Sequence, residues 1–276
     1  MKNDPVRKNR AEHNIAIVLS AGRGSRMHTE TAKQYLDLCG CPVIAWSLRA
    51  FEQFDGIDDV ILVSAADDIE YCRSEIVGRY GFSKVRSIVP GGAERFLSVW
   101  EGLKEAKRFL SMRNDPAAEN RRKLSAGPEE NARDDQTGSY VFIHDGARPL
   151  VDRGILVRTL EDVRRYGACT AAMPVKDTIK ISDENGFALR TPDRSFLWQI
   201  QTPQVFSFFL AYRAYQELIR KGDADVTDDA MVVERETSVS VKLTEGSWQN
   251  IKITTQEDLG IAKMFLEGRE HAILFS

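Results

Sequence analysis

Short apolar runs rich in β-branched residues alternate along this chain with longer stretches of helical periodicity. Ile15–Leu19, Val60–Ser64, Ser87–Val89, Tyr140–His144 and Cys169–Val175 have strand character, while Val43–Phe54, Ile69–Tyr80, Arg95–Leu110 and Ile155–Tyr166 fall between them with helical spacing. That order predicts a mostly parallel sheet with helices on both faces, a doubly wound α/β fold of Rossmann-like layering. Ligands of such sheets bind outside the carboxyl ends of the strands. The loop at 20–26, the Gly91-Gly92 turn and His144-Asp145 each follow a strand, so all three are expected on one rim.

Two segments break the alternation. Between Ser111 and Ser139 polar residues dominate, with Met112 and Leu124 as the large apolar exceptions, which reads as a mobile surface insertion within one domain spanning 15–270. Residues 1–14 are polar and charged and read as a flexible tail. Thr178–Ser182, the turn Asp183-Glu-Asn-Gly186 and Phe187–Arg190 read as a hairpin leaving the main pattern, so residues 176–201 form a β-arm suited to pairing with a second subunit. Helices are expected at Phe208–Lys221, Asp228–Arg235 and Gln256–Gly268, the last with Thr255 as its N-cap, and strands at Val239–Leu243 and Ile251–Thr254.

The first strand delivers the most informative chemistry. Ser20, Ala21, Gly22 and Gly24 lack bulk, so backbone N–H groups can close around an anion, and Arg23, Arg26 and Lys33 add positive charge. The pattern is that of a triphosphate loop. It is not the dinucleotide fingerprint, because Met27 stands where the third small residue belongs, and no Gly-Lys-Ser/Thr ending makes it a Walker loop.

With 276 residues and a net charge of −3 the chain carries no global basic footprint, so a small anionic ligand is expected and nucleic acid is not. No stretch approaches the roughly 20 apolar residues of a membrane span, and a cytoplasmic protein without a membrane partner is expected. Cys39, Cys41, Cys72 and Cys169 show neither C-x-x-C spacing nor a histidine cluster, which argues against zinc and against a disulfide framework.

Further clusters complete the picture: Pro90-Gly-Gly-Ala-Glu-Arg-Phe-Leu-Ser98, His144-Asp-Gly-Ala-Arg-Pro149, Pro192-Asp-Arg-Ser-Phe-Leu-Trp198, Gln201-Thr-Pro-Gln-Val-Phe206, Val226-Thr-Asp-Asp229 and Asn250-Ile-Lys-Ile-Thr254. In this order, from about Ile15 to Glu267, they resemble the 2-C-methyl-D-erythritol 4-phosphate cytidylyltransferases of the non-mevalonate isoprenoid pathway. The resemblance implies that Ser20, Ala21, Gly22 and Gly24 wrap CTP, with Arg26 and Lys33 on its triphosphate, and that Gly92, Ala93, Arg95 and Ser98 hold the base and nucleotide. It further implies that Asp145, Arg148, Thr178, Thr202, Thr227 and Lys252 line the methylerythritol phosphate pocket, and that Arg194 reaches in from the arm of a homodimer partner. Arg26, Lys33, Arg194 and Lys252 would be the catalytic set. A magnesium ion carried mainly by the CTP phosphates is implied as well; no protein ligand for it is assigned.

The chain departs from the family pattern at a few positions. Leu19 and Ser20 stand where many members read Pro-Ala, Ala93 where many carry Asp, and Gly146 in place of a common Ala. The 111–139 insertion is longer than the family pattern. A ribitol 5-phosphate cytidylyltransferase is the nearest alternative, set against here by Asp193-Arg-x-x-Leu-Trp198; a non-catalytic nucleotide sensor and a glycosyltransferase using Asp223-Ala-Asp225 are the others. His144 reads as a packed strand-end residue, since a phosphate acceptor ionised near neutral pH asks for no base.

Overall fold

A computed structural model describes residues 12–22, 32–113, 138–222 and 225–274. The expected tail up to residue 11, the loop residues Gly24 and Arg26, positions 114–137 of the expected insertion, and Asp223 lie outside the described residues.

In chain order the strands are β1 (Ile15–Ser20), β2 (Asp37–Leu38), β3 (Cys41–Pro42), β4 (Asp59–Ser64), β5 (Val85–Pro90), β6 (Tyr140–Asp145), β7 (Ala168–Pro174), β8 (Ile181–Ser182), β9 (Ala188–Arg190), β10 (Trp198–Ser207) and β11 (Lys242–Glu245). The helices are α1 (Val43–Glu52), α2 (Ile69–Tyr71, continuing as a π-helical segment Cys72–Gly78), α3 (Arg95–Arg113), α4 (Arg153–Tyr166), α5 (Phe208–Lys221), α6 (Asp229–Glu236) and α7 (Gln256–Leu274). The central sheet has seven strands in the order β11-β7-β10-β6-β1-β4-β5. All neighbours pair in parallel except β10, which runs antiparallel to both β6 and β7. The expected mostly parallel α/β sheet is therefore present.

β1 shows why a continuous apolar run becomes a central strand. Ala16 and Val18 join one core with Leu48, Phe51, Leu156 and Leu160 of α1 and α4. Ile15 and Ile17 join the opposite core with Val99, Leu103, Ala211 and Tyr215 of α3 and α5. A strand covered on both faces loses the polar alternation of a half-exposed one, and truncating Ile17 to Ala would cost about 2–5 kcal/mol. Helix ends follow their local chemistry. Asp152 caps α4 by accepting from the Ile155 N–H at 2.9 Å, and Gly167 ends it in the left-handed region at φ 78°.

Four expectations are corrected. Ile69–Tyr80 is not a regular α-helix, because its middle widens into the π-helical segment; the buried residues of that segment are Cys72 and Ile76. The Cys72 thiol there meets the hydroxyls of Tyr35 at 3.2 Å and Ser64 at 3.3 Å. The strand expected at Val239–Leu243 forms later, at Lys242–Glu245, where β7 offers a parallel partner. Ile251–Thr254 is no strand: Ile253 donates to the Ala147 carbonyl at 2.8 Å and packs with Leu38, Val43 and Ala262. Residues 198–201, expected as the end of the 176–201 arm, and 202–207, read only as a chemical motif, form one strand of the central sheet. Its polar interior and proline argue against that from sequence, and the ladder to β7 does skip from Ile200 to Gln204, around the cis Thr202–Pro203 bond.

The chain leaves the sheet after β7 and returns at β10, with Val175 N–H donating to the Leu197 carbonyl at 2.9 Å across the base of the excursion. Within it, β8 and β9 form the hairpin, shorter than expected. Ile179, Ile181, Phe187, Leu189 and Phe196 are exposed on it, Phe196 at 81%.

Candidate active site

The carboxyl ends of β1, β5 and β6 open into a cleft of about 210 Å³ lined by Ser20, Ala21 and Gly22, by Gly92, Ala93, Glu94, Arg95 and Ser98, and by Asp145 and Ala147. Lys33, Gln34 and Lys252 supply further walls. Steric fit explains the small residues. A Cβ on Gly91 would lie 2.5 Å from Ala21 Cβ and 2.7 Å from Ser98 Oγ, so the two loops touch back to back. Ser98 is buried and braces its turn: its Oγ accepts from the Gly92 N–H at 3.1 Å and donates toward the Glu94 carbonyl at 3.2 Å. Gln34 ties the other wall to β1, donating to the Ser20 carbonyl at 2.8 Å.

Charge is concentrated around two carboxylates. Asp145 lies 2.8 Å from Lys252 Nζ, 3.2 Å from Arg95 Nε and 3.9 Å from Arg148 Nε. Burial would raise its pKa, but those three cations outweigh burial and hold it well below the usual carboxylate range. Asp229 is fully buried and grips Arg95 bidentately, with both N···O distances 2.8 Å; the Tyr215 hydroxyl donates to the same carboxylate. Burial works against the Arg95 charge, and Asp229 and Asp145 overcome it, keeping the guanidinium charged. Arg95 is thus fixed as a cation on the cleft wall, with its side chain about 30% exposed.

The expected site residues divide by place. Ser20, Ala21, Gly22, Lys33, Gly92, Ala93, Arg95, Ser98, Asp145 and Lys252 line the cleft. Arg148 lies behind it, donating through Nη1 to the Asn250 carbonyl at 2.8 Å. Thr202 is buried beside it, accepting from the Asp145 N–H at 3.1 Å. Thr178 and Arg194 sit exposed on the arm, where Arg194 donates to the Lys176 carbonyl. Thr227 is exposed just before α6. His144 is fully buried, as its reading as a packing residue expects; burial pushes its pKa down to about 4, and its ring meets Phe51 edge-on at 5.2 Å.

Sequence reasoning missed Gln34, Glu94 and Ala147 on the walls and Asp229 beneath Arg95. The signal for Asp229 was its neighbour: Asp228 caps α6 by accepting from the Met231 N–H at 2.8 Å, which turns the next residue inward. Among the described residues no group of three or more His, Cys, Asp or Glu side chains is arranged to hold a metal ion. No described helix is long and apolar enough to cross a membrane, and all four cysteines are free.

A doubly wound sheet whose carboxyl rim presents small backbone-exposing loops and fixed cations has the architecture of a nucleotidyltransferase. The chain belongs to the 2-C-methyl-D-erythritol 4-phosphate cytidylyltransferase family, whose pattern it matches over residues 14–110 and 129–268, skipping part of the predicted insertion. A relative of that name from Lachnospira eligens is 46% identical over 256 residues, covering 92% of this chain and 100% of its own. One from Caldanaerobacter subterraneus is 38% identical over 251 residues, covering 91% and 97%. Among solved structures, 4-diphosphocytidyl-2C-methyl-D-erythritol synthase from Anaerococcus prevotii superposes with a TM-score of 0.71 at 29% identity, covering 93% of this chain and 99% of that one.

Proposed function

We propose that this chain transfers the cytidylyl group of CTP to 2-C-methyl-D-erythritol 4-phosphate, giving 4-diphosphocytidyl-2-C-methyl-D-erythritol and pyrophosphate. The observation that carries the reading is the convergence of Lys33, Arg95 and Lys252 with the Ser20–Gly22 backbone on one cleft. A phosphate monoester is largely ionised near neutral pH. Its oxygen attacks the α-phosphorus of CTP, the new P–O bond forms as the bond to the β-phosphate bridge breaks, and pyrophosphate leaves. Catalysis then consists of alignment and charge neutralisation, which agrees with a cleft built from cations.

In this reading the 20–24 loop and Lys33, with Arg26, take the triphosphate, while Gly92, Ala93 and Ser98 face the nucleoside. Lys252 draws the acceptor phosphate in, and Asp145, held ionised, accepts hydrogen bonds from the polyol. Arg194 and Thr178 act from the arm of a second copy; the exposed apolar residues of the hairpin support such a homodimer. Asp145 is already engaged by Lys252, Arg95 and Arg148, so a magnesium ion would be carried by the CTP phosphates and water and is assigned no carboxylate of the chain. When bound, that ion neutralises phosphate charge. A cytoplasmic setting fits a reaction between two small water-soluble phosphates.

Pyrophosphate release from CTP and magnesium, measured with methylerythritol phosphate, with ribitol 5-phosphate and without acceptor, tests the assignment. Release with the first alone is expected; release with ribitol 5-phosphate alone would keep the chemistry and overturn the acceptor.

A further inference from the structure

The segments carrying Asp145 and Lys252 are fixed by more than strand pairing. Beyond the Gln204–Ile143 pair, where its ladder to β6 ends, β10 is joined to the end of β6 by side-chain hydrogen bonds. Thr202 Oγ1 accepts from the Asp145 N–H at 3.1 Å and lies 3.0 Å from His144 Nδ1. His144 Nε2 lies 3.2 Å from the Arg148 carbonyl oxygen. That oxygen can only accept, so Nε2 carries the proton. In the neutral ring Nδ1 is then a bare lone pair, the Thr202 hydroxyl donates to it, and the Thr202 oxygen remains free to accept from Asp145. One carbonyl fixes every direction in the series.

The same frame reaches Lys252. Asn250 donates through Nδ2 to the Thr202 carbonyl at 2.8 Å and to Gln201 Oε1 at 3.2 Å, and its own carbonyl receives Arg148 Nη1 at 2.8 Å. Ser47 Oγ donates to the Gly146 carbonyl at 3.0 Å, closing the 145–148 turn from the α1 side. The separation of Asp145 and Lys252, 2.8 Å, is therefore set by a network in which His144 is the one ring bonded to both Thr202 and the 145–148 turn.

We propose that His144, as the Nε2–H tautomer, is a positioning residue: it locks Thr202 against the 145–148 turn and so holds Asp145 and Lys252 in register for the acceptor. It touches no substrate. Phe51 packs on the ring, and the charged groups facing it are Asp145, Arg148 and Arg95. The kinetic part of the test rests on the acceptor chemistry proposed above; the spectroscopic part does not.

Nitrogen-15 NMR of histidine-labelled wild-type protein should show one histidine as a neutral Nε2–H tautomer that does not titrate between pH 8 and 5.5, and that signal should vanish in His144→Gln. A ring that is protonated, or that carries its proton on Nδ1, would overturn the proposal whatever the protein's activity. His144→Phe keeps the ring packing and removes both hydrogen bonds. Its kcat should fall about 10- to 100-fold through misalignment, with the KM for CTP changed less than about threefold, and His144→Gln should recover part of the loss by donating to Arg148. A folded His144→Phe variant with kcat within about twofold of wild type contradicts the proposal. Should that variant not fold, the wild-type tautomer decides alone.

Discussion

Asp229→Asn removes one charge while keeping shape, and its cost follows from the geometry. Asp229 is fully buried and accepts two charge-assisted bonds from Arg95 and one from Tyr215. Breaking a buried pair by removing one partner costs about 3–5 kcal/mol. Arg95 keeps its 3.2 Å contact with Asp145 and about 30% exposure to the cleft, so the expected loss is smaller, about 2–3 kcal/mol. An asparagine NH₂ would also face the guanidinium donor to donor. Urea unfolding followed by circular dichroism at fixed protein concentration reads this as a lower midpoint with unchanged slope. The freed guanidinium faces the cleft, so sulfate should stabilise the variant more than the wild type. Arg95→Met with Asp229→Leu should cost less than Asp229→Leu alone, since the double change leaves no orphaned charge. A loss under about 0.5 kcal/mol for Asp229→Asn, a magnitude typical of independent surface sites, or simple additivity in the double variant, would refute the claim that Asp229 holds Arg95 in place.

Other expectations follow from the same site. Lys252→Ala should lower kcat by about 100- to 1,000-fold, in line with the loss of one preorganised charge donor; steady-state pyrophosphate release measures it, and a change under tenfold would remove Lys252 from the reacting centre. Gly146→Ala places a Cβ 2.8 Å from the Leu19 carbonyl oxygen and 2.3 Å from Ile44 Cδ1. Overpacking against that backbone oxygen should cost about 1–3 kcal/mol, and an unchanged urea midpoint would show that the turn can shift freely. His144 is held neutral to about pH 4 against an ordinary 6.5, so between those values the unfolded chain takes up a proton that the folded chain does not. Stability should fall by about 3 kcal/mol as pH drops through this window. Below it the depressed Asp145 adds further loss, and His144→Phe should flatten the slope between pH 6.5 and 4. Mixed dimers of Arg194→Ala with Lys33→Ala should regain activity if the arm of one copy completes the cleft of the other; no regain would place both residues in one subunit's site.

What the sequence made legible was governed by burial on both sides. β1, β4 and β6 are covered by helices on each face and read as unbroken apolar runs; their order carried the sheet. β10 pairs with two neighbours yet holds Gln199, Gln201, Thr202, Pro203 and Gln204, because its middle serves the hydrogen-bond frame behind Asp145 instead of the ladder. Composition alone points away from a strand there. Ile251–Thr254 shows the opposite failure: its alternation is real, with Ile253 in the core and Lys252 on the cleft, but among the described residues it pairs with no strand. For the site, residue types and order located the cleft loops. They did not separate Arg148 and Thr202, which lie behind the wall, from Asp145, which forms it, since sequence records neither the direction of a side chain nor its partners.

The central claim is that the acceptor's phosphate oxygen attacks the α-phosphorus of CTP in this cleft. Methylerythritol phosphate labelled with oxygen-18 in its phosphate, incubated with the protein, CTP and magnesium, tests it directly by phosphorus NMR and mass spectrometry. The predicted result is a diphosphocytidyl product that retains all of the label, including the bridging oxygen, and unlabelled pyrophosphate. Label in the released pyrophosphate, or consumption of CTP with no labelled cytidylyl product, would contradict it.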